Sequence, residues 1–287
     1  MLTTNMFKND LLYLLELREI DSLIFQGNCT QVFGSHLFGG QLLAQSLIAA
    51  AKTTDRPAHS LHAYFIQAGR TDIPILYQVS DLQDGSNFSR REVKALQNGQ
   101  LIFIALISFA YFEQGPEFQV PSPVYPSPDS LQPEQHHKLQ VIEQVPDNYK
   151  SIFMRPFQLE IKPIQFLGFK SESKSSSYAE YFRTYDKFTL NIDSVILHQA
   201  IMAYYSDYNL LSISLLNHGI SYFDDKIKAI SLDHVIFFHH DFRVDEWSLY
   251  DLSTNISSQA RSLNYGKVWQ NNKLVCSTVQ ECLLRTI

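Results

Sequence analysis

Hydrophobic residues follow two different spacings along the chain, and the same order of spacings occurs twice. Helical spacing over Phe38–Lys52 and Ile192–Tyr208 predicts two long helices. Apolar or alternating runs follow each helix and predict strands. These strands are Ser60–Ile66, Ile75–Leu82, Asn87–Leu96 and Leu101–Phe112 in the first half, and His234–His239, Trp247–Thr254, Ser258–Trp269 and Lys273–Leu284 in the second. Two more strands, Phe157–Gln165 and Ser177–Tyr185, are predicted before the second helix. A long helix followed by antiparallel strands, repeated once, predicts an α+β fold with a sheet curled around each helix.

The two halves are also related in sequence. When the chain is shifted by 173 residues, residues 58–112 align without a gap on residues 231–285, and 11 of the 55 aligned pairs are identical. Chance at average composition would give roughly a third of that number. Asn98-Gly99 in the first half, a strong hairpin turn signal, aligns with Asn271-Asn272 in the second. We therefore interpret the chain as a tandem repeat of one unit.

A proline-rich segment separates the two units. Seven of the eleven prolines lie between Pro116 and Pro146, among polar residues and with few apolar ones. This composition is typical of an exposed linker that is partly extended, with room for one short helix. We therefore predict an N-terminal unit over residues 1–114, a linker over residues 115–149 and a C-terminal unit over residues 150–287.

Composition and charge narrow the class of protein. The 287 residues are 45% hydrophobic and 18% charged, which supports a packed core, and the net charge of −6 argues against general nucleic-acid binding. The longest apolar stretch, Leu101–Phe112, is about half the length of a membrane span, so no span is predicted. Cys29, Cys276 and Cys282 cannot form a closed disulfide framework. Residues 285–287 are not a peroxisomal address, and we expect a cytoplasmic protein.

Positions that differ in chemical type between the two units are candidates for function, because the shared fold does not explain them. Gln280 on the last strand stands where the first unit has Ile107, and Ser231 stands where it has Ala58. Asp207 lies near the end of the second helix, where the helix dipole disfavours a carboxylate. A carboxylate with two neutral polar groups can hold a water molecule and accept its proton.

Each candidate also has an ordinary structural interpretation. Gln280 can be a buried amide that bonds to a backbone edge, and Ser231 can be a hydroxyl at the start of a strand. Asp207 can be an exposed or locally bonded carboxylate. The residues alone leave both interpretations open.

Other polar residues are weaker candidates. His239-His240-Asp241 contains residue types that bind metals, but neighbours on a strand point to opposite faces, so no metal is predicted. His59 and His62 are expected to be packed or hydrogen-bonded rather than catalytic. The chain has no nucleophile elbow, phosphate loop or dinucleotide fingerprint, and no cofactor is predicted.

Several short motifs, in order along the chain, are similar to those of one protein family. They are Leu37–Gln41, His59–Phe65, Asp84–Arg91, Gln97–Gly99, Ser206–Leu211, Asn217–Ile220, Ser231–His234 and Ser277–Glu281. From about Leu11 to Arg285, the chain resembles the bacterial acyl-CoA thioesterase II family, which is related to peroxisomal acyl-CoA thioesterases. The resemblance implies a double hotdog fold, with two tandem antiparallel sheets that each wrap around a long helix.

The resemblance also implies a reaction. The family's catalytic Asp, Thr or Ser, and Gln match Asp207, Ser231 and Gln280. It implies that these residues activate a water that hydrolyses fatty acyl-CoA to free fatty acid and CoA, with Asp207 as the base. Since the first unit has Ala58 and Ile107 at two of the matched positions, we expect only the second unit to be active. The family suggests a homo-oligomer, either a dimer or a tetramer.

The chain departs from the family after each first matched strand. The family usually carries Arg-Pro there, and this chain has Gln67-Ala68 and His240-Asp241. At these positions the chain therefore has no arginine to contact the CoA phosphates. Arg90 and Arg91 are candidates to meet an acidic ligand, and solvated strand residues are the simpler interpretation of both.

Two other functions fit a hotdog fold. One is an acyl-CoA-binding module without turnover, which the three polar positions argue against. The other is an enoyl-CoA hydratase, which needs an Asp/His pair in its pocket. Asp233 and His234 are adjacent in sequence, so their side chains should diverge on a strand.

Overall fold

The computed structural model describes residues 11–32, 36–168, 174–185, 192–221, 224 and 226–287. In these ranges residues 11–15 are helical, and the longer helices are α1 (Gly39–Ala51), α2 (Glu134–Val141), α3 (Asp147–Phe153), α4 (Ile192–Ser206) and α5 (Ser212–His218), with 3-10 turns at Pro128–Ser130 and Ile142–Gln144. The strands are β1 (Arg18–Asp21), β2 (Ile24–Gly27), β3 (Ala58–Phe65), β4 (Ile75–Asp84), β5 (Phe88–Gln97), β6 (Gln100–Ala110), β7 (Leu159–Pro163), β8 (Ser177–Thr184), β9 (Ile227–Ser231), β10 (Asp233–Phe238), β11 (Ser248–Ser258), β12 (Arg261–Gln270) and β13 (Lys273–Thr286). No helix in the described ranges is both long enough and apolar enough to cross a membrane.

The strands of the described chain form one antiparallel sheet that joins the two halves. Its order is β1-β2-β4-β5-β6-β3-β10-β13-β12-β11-β8-β7, and β9 also pairs with β13. Strands β3 and β10 pair at the centre, where Leu61 lies opposite Ile236. Outward from this pair, the first-half strands and the second-half strands follow in corresponding order. The predicted α+β class is therefore confirmed.

The pairing register repeats with the offset found in the sequence. Arg91 pairs with Ile107 in the first half, and Asn264 pairs with Gln280, each 173 residues later. The irregularity between residues 81 and 83 of β4 recurs between residues 254 and 256 of β11. Since even the irregularities coincide, the sequence repeat is also a repeat of backbone pairing.

Helices α1 and α4 pack against each other. Leu43 and Leu47 of α1 and Tyr204 and Tyr205 of α4 are fully buried in the same hydrophobic core. The polar side chain of Gln45 is also buried, and it donates to the backbone oxygens of residues 14 and 28. This packing brings the end of α4 next to the beginning of α1, where the carbonyl oxygen of Tyr204 lies against Gly40.

The proline-rich segment contains more helix than its composition predicted. Instead of room for one short helix, it holds α2, the start of α3 and two 3-10 turns. Within α2, Lys138 forms an ion pair of 2.7 Å with Glu134, at the i,i+4 spacing that supports a helix. Glu134 also accepts a hydrogen bond of 3.0 Å from the hydroxyl of Tyr208. This contact attaches the segment to the second half, next to α4.

Candidate active site

Asp207 directly follows α4, and its side chain is only 7% exposed. Its Oδ2 accepts a hydrogen bond of 3.0 Å from the backbone N–H of Gly40, in the first turn of α1. Its Oδ1 accepts one of 2.6 Å from Nε2 of Gln280 on β13. The unfavourable negative end of α4 is thus offset by the positive N-terminus of α1, which favours an anion. Both halves of the chain hold this carboxylate.

The approach of α1 to Asp207 requires glycine at two positions. A Cβ atom on Gly39 would lie 2.6 Å from Oδ2 of Asp207. A Cβ atom on Gly40 would collide with the backbone carbonyl of Tyr204. Glycine permits such a close approach of a backbone because it has no side chain. The two glycines of the Leu37–Gln41 motif therefore have a direct role in the geometry of the site.

The environment of Asp207 makes it more basic than an ordinary aspartate. Burial raises the pKa of Asp207 to about 6, while the hydrogen bonds from Gln280 and Gly40 act in the opposite direction. At neutral pH the carboxylate is therefore mostly ionised and accepts a proton more readily than a solvated one. A pKa close to the working pH is what a general base needs.

Gln280 is fully buried on β13 and bonds to side chains on each side. Besides Asp207, its Nε2 donates to Nδ1 of His234 at 3.1 Å. Its Oε1 accepts a hydrogen bond of 3.3 Å from the thiol of Cys282. The alternative in which Gln280 bonds to a backbone edge is wrong, and so is the alternative of an exposed or locally bonded Asp207.

Ser231 ends β9 and lies opposite Cys282 in the pairing register. The thiol of Cys282 donates to Oε1 of Gln280, so Ser231 lies across the strand pair from a residue that contacts Gln280. Cys282 also accepts a hydrogen bond of 3.4 Å from Nδ2 of Asn264. Of the three residues predicted from the sequence, Asp207 and Gln280 are in direct contact, and Ser231 lies on the neighbouring strand, opposite Cys282.

His234 is the main residue that the sequence analysis missed. It is fully buried on β10, and its Nε2 lies 2.9 Å from the hydroxyl of Ser206. The signal was available, because Leu61 occupies the position 173 residues earlier. The side chains of Asp233 and His234 diverge, as expected for neighbours on a strand. Asp233 accepts a hydrogen bond of 2.7 Å from the backbone N–H of Glu281 instead of facing His234.

A second buried carboxylate supports the turn that carries Asp207. Glu180 of β8 accepts hydrogen bonds from the hydroxyl of Tyr205 at 2.6 Å, the hydroxyl of Tyr178 at 3.1 Å and Nδ2 of Asn209 at 2.9 Å. Asn209 is in the left-handed region, with φ of 61°. Burial raises the pKa of Glu180 to about 7. These bonds fix the chain just after α4 to the sheet.

Arg91 was expected to be a solvated strand residue or a contact for an acidic ligand, and it is neither. Only 2% of its side chain is exposed, and it forms ion pairs of 2.8 Å with Asp81 and 2.9 Å with Asp84. It also donates to the hydroxyl of Thr53 at 2.7 Å. These partners occupy Arg91 within the first half. Arg90 is exposed, as expected, and lies over the ring of Phe88.

The other histidines considered above have structural partners. Nε2 of His59 lies 2.8 Å from the hydroxyl of Ser108, and the ring of His62 packs edge-on against Phe237. Nε2 of His239 lies 2.9 Å from the hydroxyl of Ser277. Within the described part of the chain, no group of three or more His, Cys, Asp or Glu side chains is placed to hold a metal ion.

Solved structures share this architecture. An acyl-CoA thioesterase II from Mycobacterium marinum matches with a TM-score of 0.78 and 29% identity, over 96% of this chain and 98% of that chain. A protein with a hot dog fold from Alicyclobacillus acidocaldarius matches with a TM-score of 0.77 over 97% of this chain and 98% of that chain, at 14% identity. The double hotdog fold is confirmed, and the chain is in the class of hotdog thioester hydrolases.

Sequence comparison identifies the family within that class. The model of the acyl-CoA thioesterase family matches residues 148–283, and that of the acyl-CoA thioesterase N-terminal domain matches residues 30–110. Acyl-CoA thioesterase 2 of Haemophilus influenzae is 34% identical over 96% of this chain and 97% of its own length. Acyl-coenzyme A thioesterase 8 of Homo sapiens is 34% identical over 94% of this chain and 87% of its own length. The chain belongs to the acyl-CoA thioesterase II family.

Proposed function

We propose that this protein hydrolyses fatty acyl-CoA to free fatty acid and CoA with a water activated by Asp207, Ser231 and Gln280. The observation that carries the proposal is the buried Asp207 carboxylate, held by a backbone N–H of one half and an amide of the other. Its pKa of about 6 suits a general base at neutral pH. The substrate class follows from the names of the relatives, which are acyl-CoA thioesterases.

In the proposed reaction, Asp207 accepts a proton from water while the water oxygen attacks the thioester carbonyl carbon. The carbonyl oxygen becomes an oxyanion, which the positive N-terminal end of α1 is suited to stabilise. When the tetrahedral intermediate collapses, the C–S bond breaks and the CoA thiolate takes the proton from Asp207. Gln280 and Ser231 position the water through their oxygen atoms. The products are a fatty acid and CoA thiol, and the carboxylate returns to its starting state.

A hydratase is the less supported alternative. The site does contain an Asp/His pair, because Nδ1 of His234 lies 3.8 Å from Oδ1 of Asp207. However, His234 is fully buried, and both ring nitrogens are bonded to protein groups. Burial also lowers the pKa of His234 to about 3, so the ring is a poor proton acceptor. Formation of a 3-hydroxyacyl-CoA from an enoyl-CoA would favour this alternative.

The deciding experiment measures thiol release from fatty acyl-CoA by the pure protein and by Asp207→Asn. We expect the variant to lower kcat by about a thousandfold or more, with KM and folding preserved, because it removes the base but keeps the shape. Asp251→Asn is a matched control, since Asp251 is a half-buried aspartate whose pKa is also raised by burial, on a strand of the same half. Wild-type turnover in Asp207→Asn would overturn the proposal. Tight acyl-CoA binding without thiol release would instead indicate a binding module.

We also propose the organisation around this site. The chain would comprise units over residues 1–114 and 150–287 joined by residues 115–149, and it would act in the cytoplasm as a homo-oligomer, either a dimer or a tetramer. Light scattering on the purified chain tests the oligomer, and a single mass equal to one chain would contradict it. Fractionation of cells that express the tagged chain tests the location.

A further inference from the structure

The imidazole of His234 has a defined hydrogen-bonding state. The hydroxyl of Ser206 donates its one hydrogen to the carbonyl oxygen of Ala203 at 2.9 Å. The hydroxyl can therefore only accept from Nε2 of His234, at 2.9 Å. Nδ1 of the neutral ring is then an acceptor, which matches the hydrogen bond of 3.1 Å that it receives from Nε2 of Gln280. Burial keeps the ring neutral at physiological pH, because it lowers the pKa of His234 to about 3.

We propose that His234 is a positioning residue that fixes which end of the Gln280 amide faces Asp207. The inference rests on the proposed function, because it concerns the residues that hold the attacking water. Nε2 of Gln280 donates one hydrogen to Asp207 and the other to His234. Its Oε1 accepts from Cys282 and keeps a second lone pair, which can accept from the water.

His234 is needed to hold the orientation of the Gln280 amide when Asp207 becomes protonated during turnover. While Asp207 is ionised, it excludes a reversed amide by itself, because two acceptor oxygens would face each other. Once Asp207 has taken the proton from water, its O–H could donate to the oxygen of a reversed Gln280. Nδ1 of His234 opposes that reversal, because its lone pair would then face the same oxygen. The amide therefore keeps one orientation through both protonation states of the base.

The first half shows that the fold itself does not require this imidazole. At the two corresponding positions it has Leu61 and Ile107, which are paired across β3 and β6 and are both buried. An apolar pair thus fills the same place in the same register. In the second half both positions are polar and are bonded to each other. The change of both members together supports a role in the site and not in packing.

The groups that contact Asp207 and Gln280 keep a constant charge near neutral pH. Glu180, whose pKa burial raises to about 7, titrates in this range, but its hydrogen bonds go to Tyr205, Tyr178 and Asn209 and it is the same in all the proteins compared. Tyr250 of β11 donates to the backbone oxygen of Ser206 at 2.7 Å, and Cys282 of β13 contacts Gln280. Burial raises the pKa of both side chains, so both stay neutral. From α1, the contact with Asp207 is the backbone N–H of Gly40. Among the groups in contact with Gln280, Asp207 is therefore the one whose charge changes between pH 5 and 8.

The test compares His234→Leu, His234→Asn and the control His239→Leu in thiol release from acyl-CoA. We expect His234→Leu to lower kcat about tenfold with KM nearly unchanged, since it frees the amide without removing it. His234→Asn, which can still present an acceptor oxygen to Gln280, should recover most of the loss. His239→Leu removes another histidine–serine contact on the adjoining end of β10 and should leave kcat unchanged.

Two readouts separate positioning from a general loss of structure. In His234→Leu, the acid limb of the kcat/KM profile should move up by about one pH unit, because a reversed amide stabilises protonated Asp207. In a Gln280→Leu background, His234→Leu should cause no further loss of kcat. An unmoved acid limb, or an equal loss in that background, would overturn the positioning role.

A measurement without substrate tests the same geometry. In ¹⁵N-histidine NMR spectra, with His234→Asn used for assignment, His234 should show a protonated Nε2 and an unprotonated Nδ1 from pH 5 to 8. A proton on Nδ1, or titration within this range, would overturn the proposal. If wild type releases no thiol, the proposed function fails, whereas an active wild type with an equally active His234→Leu rejects only the positioning role.

Discussion

The two halves of the molecule have the same strand register but different buried side chains. Where the first half has the apolar pair Leu61 and Ile107, the second has the bonded pair His234 and Gln280. Opposite Ile107 the first half also has Arg91, whose partners are aspartates of its own half. The two halves therefore share their backbone pairing but not the side chains at the candidate site. At these positions the first half has an apolar pair and an ion-paired arginine, and the second half has the polar groups of the candidate site.

The first half is nevertheless part of the site. It supplies the N-terminus of α1, and the Gly40 N–H bonds to Asp207 across the boundary between the halves. Neither half alone could hold the carboxylate, because one provides the amide of Gln280 and the other the helix dipole. The first half contributes backbone groups to the site, and the second half contributes side chains.

Among the variants that alter the contribution of one half while keeping Asp207, the largest effect is expected when the backbone contribution of the first half is broken. Gly40→Ala places a methyl group against the carbonyl of Tyr204, so α1 must move away from Asp207. We expect thiol release to fall about a hundredfold or more and the protein to lose roughly 1–3 kcal/mol of stability. Gly99→Ala is the control, because its position is open but has φ of +75°, so it should lower stability and leave activity intact. Near-normal turnover by Gly40→Ala would contradict the role assigned to α1.

Exchanging the buried residues between the halves tests the division of chemistry. Gln280→Leu should lower kcat by about a hundredfold, since the water loses a positioned acceptor and Asp207 loses a donor. Thiol-release kinetics measure this loss. Equal activity in wild type and Gln280→Leu would show that the amide is dispensable.

The converse exchange, Ile107→Gln, should add no activity. The new amide would be buried where apolar neighbours such as Leu61 lie, and we expect a loss of about 1–3 kcal/mol in urea unfolding. Ile107→Leu controls for the change of shape. A second active site in Ile107→Gln would contradict the view that the first half lacks the remaining groups.

Activity and stability should depend on pH in opposite directions. Thiol release should fall below about pH 6 as Asp207 becomes protonated, because the base must be ionised. The raised pKa of folded Asp207 means that its contribution to stability is fully present below about pH 3.8 and is lost as pH rises through 6. Asp207→Asn should therefore be more stable than wild type at pH 8, by about 3 kcal/mol at most, and by less at pH 4.

The difference in stability between wild type and Asp207→Asn reports on Asp207 alone. Glu180 has a pKa raised to about 7 and gives a pH dependence of the same sign, but it is present in both proteins and cancels. Thermal unfolding of wild type and Asp207→Asn at both pH values measures this difference. A stability gap that does not grow with pH would contradict the burial of an ionised Asp207.

The smallest effects are expected at Ser231, which lies opposite Cys282 in the pairing of β9 with β13, while Cys282 is the residue that bonds to Gln280. Ser231→Ala should lower kcat about tenfold or less, because one hydrogen-bonding group is lost at a distance from the base. Ser231→Thr keeps the hydroxyl and should stay within about threefold of wild type. A loss in Ser231→Ala as large as that in Asp207→Asn would contradict this ranking, because the hydroxyl would then matter as much as the base.

The sequence predicted the longer elements of the fold well because they have a strong local signal, whereas the short strands β1, β2 and β9 and the helix α5 were not predicted. Helix spacing placed α1 within one residue at each end, and alternation placed the strands of both halves close to their observed bounds. The proline-rich segment was less predictable, since α2 is stabilised by the Lys138–Glu134 pair and by contact with Tyr208, not by an apolar face. Its helices therefore left no periodic hydrophobic signal.

The site was only partly predictable, for a physical reason. Comparing the repeats pointed to Gln280 and Ser231, since side-chain type is written in the sequence. The bond from Gly40 to Asp207 could not be predicted in this way, because it depends on how α1 and α4 pack. Arg91 was misjudged for the same reason, since its burial depends on Asp81 and Asp84 folding back over it. His234 could have been found by the repeat comparison.

Because β3 and β10 pair within one covalent chain, the two halves can mutate independently of each other. In an assembly of identical subunits, every mutation appears at each symmetric position, so a polar residue that benefits one site must be tolerated at all of them. Here the two partners across the central strands are encoded separately in one gene. A substitution such as isoleucine for glutamine can therefore be selected in one copy for stability while the other is selected for chemistry.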